Sequence, residues 1–536
     1  MPVQEVTCSR RFRSGRGSNV LAPFAVALTL ALVAVGCTAD PDAEHGAQGG
    51  QPAPSLSPLS ARLKRITRPV VVVNGATPGK MSIAVSRALF AAAPVPVVAQ
   101  AGDRSGMRRG AAQAARLGVP LLLLDSDPQT PPAGPTGTSE RGDALAAEIA
   151  RLRPRAVLAI GSTVPSRLGH RLKVPVLTDA ARLPAVSPGQ GASSLAVLTR
   201  CGAGDAATCT AASATARAAG VHLIPVAGRD LRADPKAITA LAELRPRRVL
   251  AVGSGFGPAD RLAARVAVAK TGTQLPAGGQ RLFPGHRLVA LYGHPGTPSL
   301  GVLGERALPA SIVRAKKVAA SYQSLSSVPV VPGFEIIATV AQRDPGPDGD
   351  YSGEAPVGLL KRWVTKANAA GLYVVLDLQP GRATFLDQAK LYADLLRRPN
   401  VGLALDPEWR LAPGQKPLGQ IGGVDAAEIN AVSSWLAEMT ASHKLPQKLL
   451  VLHQFRLSMI RDEQDLNLNH DNIQVLLHMD GQGTPALKDS TWQAVKAAAP
   501  EGVPFGWKNF HDEDQPTLSP IQTMAKKPAP LMISYQ

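Results

Sequence analysis

Aromatic side chains are scarce in this chain: Phe, Trp and Tyr together make up 4% of its 536 residues. A stacking platform for single-stranded nucleic acid needs exposed rings along its groove, so that partner is excluded despite a formal charge of +18. Cysteine is scarcer, with four in all. No further His or Cys flanks Cys201 and Cys209, so the pair lacks the ligand count of a zinc site. The longest apolar run, Val20 to Val35, has about 16 residues where a membrane span needs roughly 20. A complete Gly-x-Gly-x-x-Gly turn with a downstream acid is also missing, which removes the main sign of dinucleotide binding.

What stands at the N-terminus reads as an export signal. Arg10, Arg11, Arg13 and Arg16 precede the apolar run, and the small residues Ala34-Val35-Gly36 close it before Cys37. A charged segment, an apolar segment and a small-residue cleavage site are the layout of a signal peptide, over residues 1–36. Ala34-Val35-Gly36-Cys37 resembles the bacterial lipobox, which implies acylation (palmitate among the acyl groups) on Cys37 and a lipid anchor on the outer face of the cell membrane. Ser9-Arg10-Arg11-Phe12 resembles a twin-arginine signal, and the choice between the two export routes stays open. With Cys8 removed and Cys37 acylated on that resemblance, Cys201 and Cys209 remain as an even pair, and a disulfide between them suits an oxidising compartment. Residues 37–66, rich in Pro, Gly, Ala and Ser as far as Ser60, read as a flexible tether.

Charge is unevenly placed. From Cys37 to Arg343 there are 36 Lys and Arg against 17 acids, and from Asp344 to Gln536 there are 18 against 22. A basic half suggests a polyanionic partner. Outside a bacterial membrane that means lipid headgroups or an anionic wall polymer; DNA fits the charge but not the compartment.

Residues 67–279 alternate short apolar runs with Ala/Leu/Arg helical stretches. The strand candidates are Val70–Val73, Val95–Val98, Pro120–Leu124, Ala156–Ile160, Val174–Leu177, Ser194–Thr199, Val221–Val226 and Arg248–Val252. Continuous apolar strands between helices predict a parallel sheet covered on both faces. Leu152 to Ser162 (LRPRAVLAIGS) is echoed by Leu244 to Ser254 (LRPRRVLAVGS), which predicts repeated α/β units. The order of Pro120–Leu124 followed by Val157–Gly161 resembles the type 2 cell-wall-binding repeats of Gram-positive surface proteins, and Gly142-Asp143-Ala144-Leu145 is similar to one of their signatures. The resemblance implies a wall-binding region. Gly161-Ser162 and Gly253 to Gly257 are alternatively phosphate-cradling turns.

Residues 280–536 predict a second architecture. Apolar strands recur at Leu288–Tyr292, Glu335–Val340, Leu372–Leu378, Val401–Leu405, Lys448–Leu452, Ile473–Leu477, Val503–Trp507 and Leu531–Tyr535, with helical patterns between most of them. Eight such units over about 255 residues match a (β/α)8 barrel, here without the last helix. The whole chain is therefore α/β: repeated parallel-sheet units, then a barrel.

Active sites of such barrels lie at the carboxyl ends of the strands. Those ends carry His294, Asp377, Gln379, Asp406, Glu408, Trp409, His453, His478, Asp480, Trp507 and Tyr535. Alternation puts Asp377 with Gln379, Asp406 with Glu408, and His478 with Asp480 on shared faces. Glu335, placed at the start of the second strand, falls on the opposite rim. Two neighbouring carboxylates suit glycoside hydrolysis, one protonated as acid and one ionised. Leu405-Asp406-Pro407-Glu408 resembles the Asp-x-Glu of the fourth strand in barrel-type bacterial lysozymes and chitinase-like hydrolases. That resemblance implies Glu408 as the acid and Asp406 as its partner, with Asp377 or Asp480 able to supply the other carboxylate. The longer aspartate run of chitinases is absent. His294, His453, His478 and Asp480 are acceptable zinc ligands, yet no His-x-His follows the first strand as in metal-dependent amidohydrolases, so neither metal nor cofactor is expected. His294, Gln379, Trp409, His453, His478, Trp507 and Tyr535 are then candidates for contacting substrate. A glycan-hydrolysing surface lipoprotein leads; a non-catalytic wall-binding protein with a degenerate barrel, or a solute-binding lipoprotein, is the alternative.

Overall fold

The computed structural model describes residues 59–125, 140–168, 172–188, 191, 194–200 and 206–536. The signal segment, Cys37, most of the tether and Cys201 lie outside the described residues; Cys209 is disulfide-bonded. No described helix is long and apolar enough to cross a membrane.

The first part holds two four-stranded parallel sheets. One has the order Leu121–Leu124, Val97–Gln100, Val157–Ile160, Val176–Leu177; the other His222–Pro225, Leu195–Thr199, Arg248–Val252, Val70–Val73. Each lays down one strand, adds a second beside it, then crosses back to the other side of the first. Only the fourth place differs: in the second sheet it is filled by Val70–Val73, which precede the first sheet in the chain. The echoed segments occupy equivalent positions. Arg153 (φ 52°) and Arg245 (φ 42°) both take left-handed backbone, and so do Gly161 and Gly253 at the far ends of the two strands. Each arginine precedes a proline, Pro154 or Pro246, which disfavours right-handed helical backbone at that residue, so the preceding helix ends there.

The second part is a closed barrel of eight parallel strands: β1 (Arg287–Gly293), β2 (Val330–Ala341), β3 (Tyr373–Leu378), β4 (Val401–Leu405), β5 (Lys448–Gln454), β6 (Ile473–Met479), β7 (Phe505–Asn509) and β8 (Met532–Tyr535). β1 pairs with both β2 and β8, which closes the ring. Helices such as Leu308–Gln323, Val357–Ala369, Ala426–Ser442 and Pro485–Ala498 pack outside. Between β5 and β6 the described chain makes only 3-10 turns and a two-residue strand, not an α-helix. Inside, Leu288, Ala290, Val331, Tyr373, Val375, Ala404, Leu449, Val451, Leu476 and Met532 fill the amino-terminal half.

One strand departs from the sequence expectation. β2 begins at Val330 rather than Glu335, so Glu335 lies mid-strand instead of on the opposite rim. Pro332 and Gly333 hide the strand's beginning from a propensity reading. Glycine suits the close approach there, since a Cβ at Gly333 would meet Leu288 Cδ1 on β1 at 2.7 Å and the Tyr373 carbonyl on β3 at 3.0 Å.

Candidate active site

The alternation that sends the apolar residues inward continues to the carboxyl ends of the strands. It turns Tyr292, Glu335, Asp377, Asp406, His453, Asp480 and Lys508 into the upper half of the barrel. All are at least nine-tenths buried. His453 is the hub: its Nδ1 lies 2.8 Å from Asp480 Oδ2 and its Nε2 2.9 Å from Glu335 Oε1. A neutral imidazole has one N–H and can donate to only one of them. Burial draws the His453 pKa down, but the Glu335, Asp480 and Asp377 carboxylates outweigh it and hold it well above the usual imidazole range. His453 is therefore an imidazolium donating to both acids.

That cation sorts the surrounding acids. Burial pushes the Asp480 pKa up, yet the adjacent imidazolium overrides it and keeps Asp480 below the ordinary aspartate value, hence ionised. Asp377 and Asp406 go the other way: burial outweighs His453, and their pKa values rise, that of Asp406 well above the usual range. The Tyr292 hydroxyl donates to Asp377 Oδ2 at 2.9 Å. His478 sits in the same interior with Nε2 2.7 Å from Ser534 Oγ; burial and the neighbouring imidazolium keep it neutral.

Glu408 lies just beyond β4, in a 3-10 turn over Pro407–Trp409. Asp406 caps the turn by accepting from the Glu408 amide at 3.2 Å. The return of the same loop seals it: the Gly422 amide donates to the Glu408 carbonyl, and a Cβ at Gly422 would meet that oxygen at 2.5 Å. Burial, then the Asp480 charge, push the Glu408 carboxyl up to about 7. Glu408, Asp406 and Asp480 line a cavity of about 300 Å³ with Tyr292, Trp409, Phe455, Phe510, Gln379 and Lys508 among its other walls.

The residues named from sequence separate into those brought to this cavity and those turned away. Glu408, Asp406, Asp480, Gln379 and Trp409 line it. Asp377, His453 and His478 lie in the buried interior rather than on its wall. Three expectations are corrected. Trp507 points out of the barrel against Trp492, because on β7 the inward positions are Gly506 and Lys508. Tyr535 also points outward, its hydroxyl on that of Tyr322, and Gln536 takes the wall position. His294 accepts from the Gly296 amide within its own loop and is not part of the cavity wall. The Asp406/Glu408 pairing through strand alternation is also replaced, since Glu408 is positioned by a turn. Glu335 and Lys508 were missed; a lone charged residue inside an apolar strand was the available signal for both.

Asp406, His453 and Asp480 bring three donor atoms within 4.8 Å of one another, a spacing a cation could use. Within that group His453 Nδ1 faces Asp480, while its Nε2 faces Glu335. A second cavity, of about 580 Å³, opens at the carboxyl ends of the second sheet beside Thr77, Thr199, Arg200 and Ser254. It lies where the strand order reverses, the usual crevice of open α/β sheets.

No protein-family model matches this chain. None of the curated proteins matches it either. Among solved structures it is similar to Cwp6 from Clostridium difficile, at 12% identity and a TM-score of 0.30, over 58% of this chain and 62% of that one. The chain thus spans less than two thirds of that neighbour.

Proposed function

We propose that this chain is a lipid-anchored, cell-surface protein whose basic α/β part holds a wall polymer while its barrel hydrolyses a glycan. One observation carries the enzymatic reading. Two carboxyls on one cavity have their pKa values pushed apart, Glu408 to about 7 and Asp480 below its ordinary value. That division supports reading one as acid and the other as base or nucleophile in glycoside hydrolysis. Glu408 delivers its proton to the glycosidic oxygen as the bond breaks. Asp480, with one oxygen fixed by His453 and the other without a partner, supplies the negative charge, on a water or at the anomeric carbon. Trp409 and Phe455 on the same wall offer apolar faces for a sugar ring. Asp406, the partner implied by the Asp-x-Glu resemblance, instead caps the Glu408 turn.

Purified wall glycan incubated with the protein should release new reducing ends. Glu408→Gln should lower that rate by about 10²–10⁴ while glycan binding survives. Equal release by the variant would end the reading. The anchor has its own test: labelled fatty acid should enter the wild-type chain and not Cys37→Ser, and label persisting in the variant contradicts it.

The solute-binding reading draws on the second cavity, larger than the first and placed at a strand-order reversal. It would lead if Glu408→Gln left glycan release unchanged.

A further inference from the structure

Three lysines of the barrel are buried, and two of them have acceptors for their ammonium groups. Lys448 Nζ donates to the carbonyls of Arg398 at 2.7 Å and Val401 at 2.8 Å. Lys488 Nζ donates to the carbonyl of Lys508 at 2.8 Å and pairs with Asp514. Lys508 is 3% exposed, and its ammonium has neither a hydrogen-bond acceptor nor a carboxylate within 4.0 Å among the described residues. Its close neighbour is the face of Tyr292, whose centroid lies 3.5 Å from Nζ, with the Phe510 ring at 5.1 Å. A ring face attracts the charge but accepts none of the three N–H bonds in ordinary geometry. The little of Lys508 that is exposed opens to the cavity that holds Glu408 and Asp480, so its ammonium is largely stripped of water yet reachable from that space, and a desolvated cation favours a counter-charge.

We propose that Lys508 is the subsite for a carboxylate on the substrate, so that the glycan processed in the barrel carries an acidic sugar. This rests on the hydrolase reading and names its substrate class. The cavity's own acids feel the Lys508 charge without forming an ion pair with it: Asp480 is held on one oxygen by His453, Glu408 holds its proton below about 7, and Glu513 stands exposed at the rim. A single ammonium beside the amides of Gln379, Gln482 and Gln536 suits a singly charged carboxylate. A phosphoester draws denser positive charge or a guanidinium fork, and neither is present on this wall.

The test measures binding by calorimetry to Glu408→Gln protein, in which cleavage is blocked. The probes are wall oligosaccharides from partial acid hydrolysis, separated into acidic and neutral pools, each also tested after carboxyl reduction and after phosphoester removal. The acidic pool should bind tighter than the neutral one, and carboxyl reduction should abolish the difference. Adding Lys508→Met should weaken the acidic pool by roughly tenfold to a hundredfold, the value of one hydrogen bond to a charged group, and leave the neutral pool unchanged. Lys508→Arg should recover part of the loss. Equal binding of both pools, no binding of either, or loss on phosphoester removal instead of carboxyl reduction overturns the proposal. The carboxyl-reduction arm needs no Lys508 variant and holds even if Lys508→Met fails to fold. Should acidic oligosaccharides bind through Lys508 yet remain uncleaved by the wild-type protein, the hydrolase reading fails and the subsite stands. Cleavage that needs Glu408 but ignores carboxyl reduction is the reverse case.

Discussion

His453 decides the electrostatics of the barrel interior. Without its charge, Asp480 and Glu335 would face each other's surroundings as buried acids with no cation between them. Removing one partner of such a buried pair typically costs about 3–5 kcal/mol. His453→Gln should therefore lower unfolding free energy by about that much in denaturant titrations. It should also raise the Asp480 pKa, moving the acid limb of any pH–rate profile upward. An unchanged acid limb would show that Asp480 is not the ionised partner. Part of this chemistry was legible in the residues: the crowding of Asp377, Asp406, His453, His478 and Asp480 at one end of the strands could be read directly. The hydrogen bond from His453 to Glu335 could not, because it joins residues 118 apart in sequence.

At the scale of elements, side-chain parity separates what the sequence discloses from what it conceals. Shared faces for Asp377 with Gln379 and for His478 with Asp480 followed from period-two alternation alone. Which face turned inward on β7 and β8 depended on packing: the Trp507 indole is too large for the interior beside His478, and it finds Trp492 at 5.6 Å outside. Gly506 makes the same point from within, since a Cβ there would lie 2.1 Å from His478 Nδ1. Trp507 is thus a packing residue. Trp507→Ala should cost about 3–5 kcal/mol of stability with little change in oligosaccharide affinity for the folded fraction; a selective loss of affinity at unchanged thermal midpoint would return it to the site. β2 was misread for a related reason, since Pro332 and Gly333 signal a loop locally while the close approach of neighbouring strands favours a glycine there.

Over the whole molecule, both sheet systems were legible because their main strands are short apolar runs with helical stretches between most of them. The contact between the two parts was not. Asp471, just before β6, takes Arg265 and Arg232 of the first part; Arg232 in turn holds Asp230 at 2.7 Å, in a largely buried ionic cluster. No local pattern announces such long-range pairing. The same holds for the division of protons in the barrel, which depends on burial as much as on residue type. Glu408 is protonated below about 7 and ionised above it, so an activity that needs its proton declines as pH rises through that value. The direct measurement is a titration of glutamate side-chain carboxyls by carbon-13 NMR in the unliganded protein, wild type against Glu408→Gln. One glutamate resonance should titrate near 7 in the wild type and be missing from the variant. If every glutamate titrates below about 5, or the resonance near 7 persists in Glu408→Gln, the acid–base division at the centre of this account is wrong.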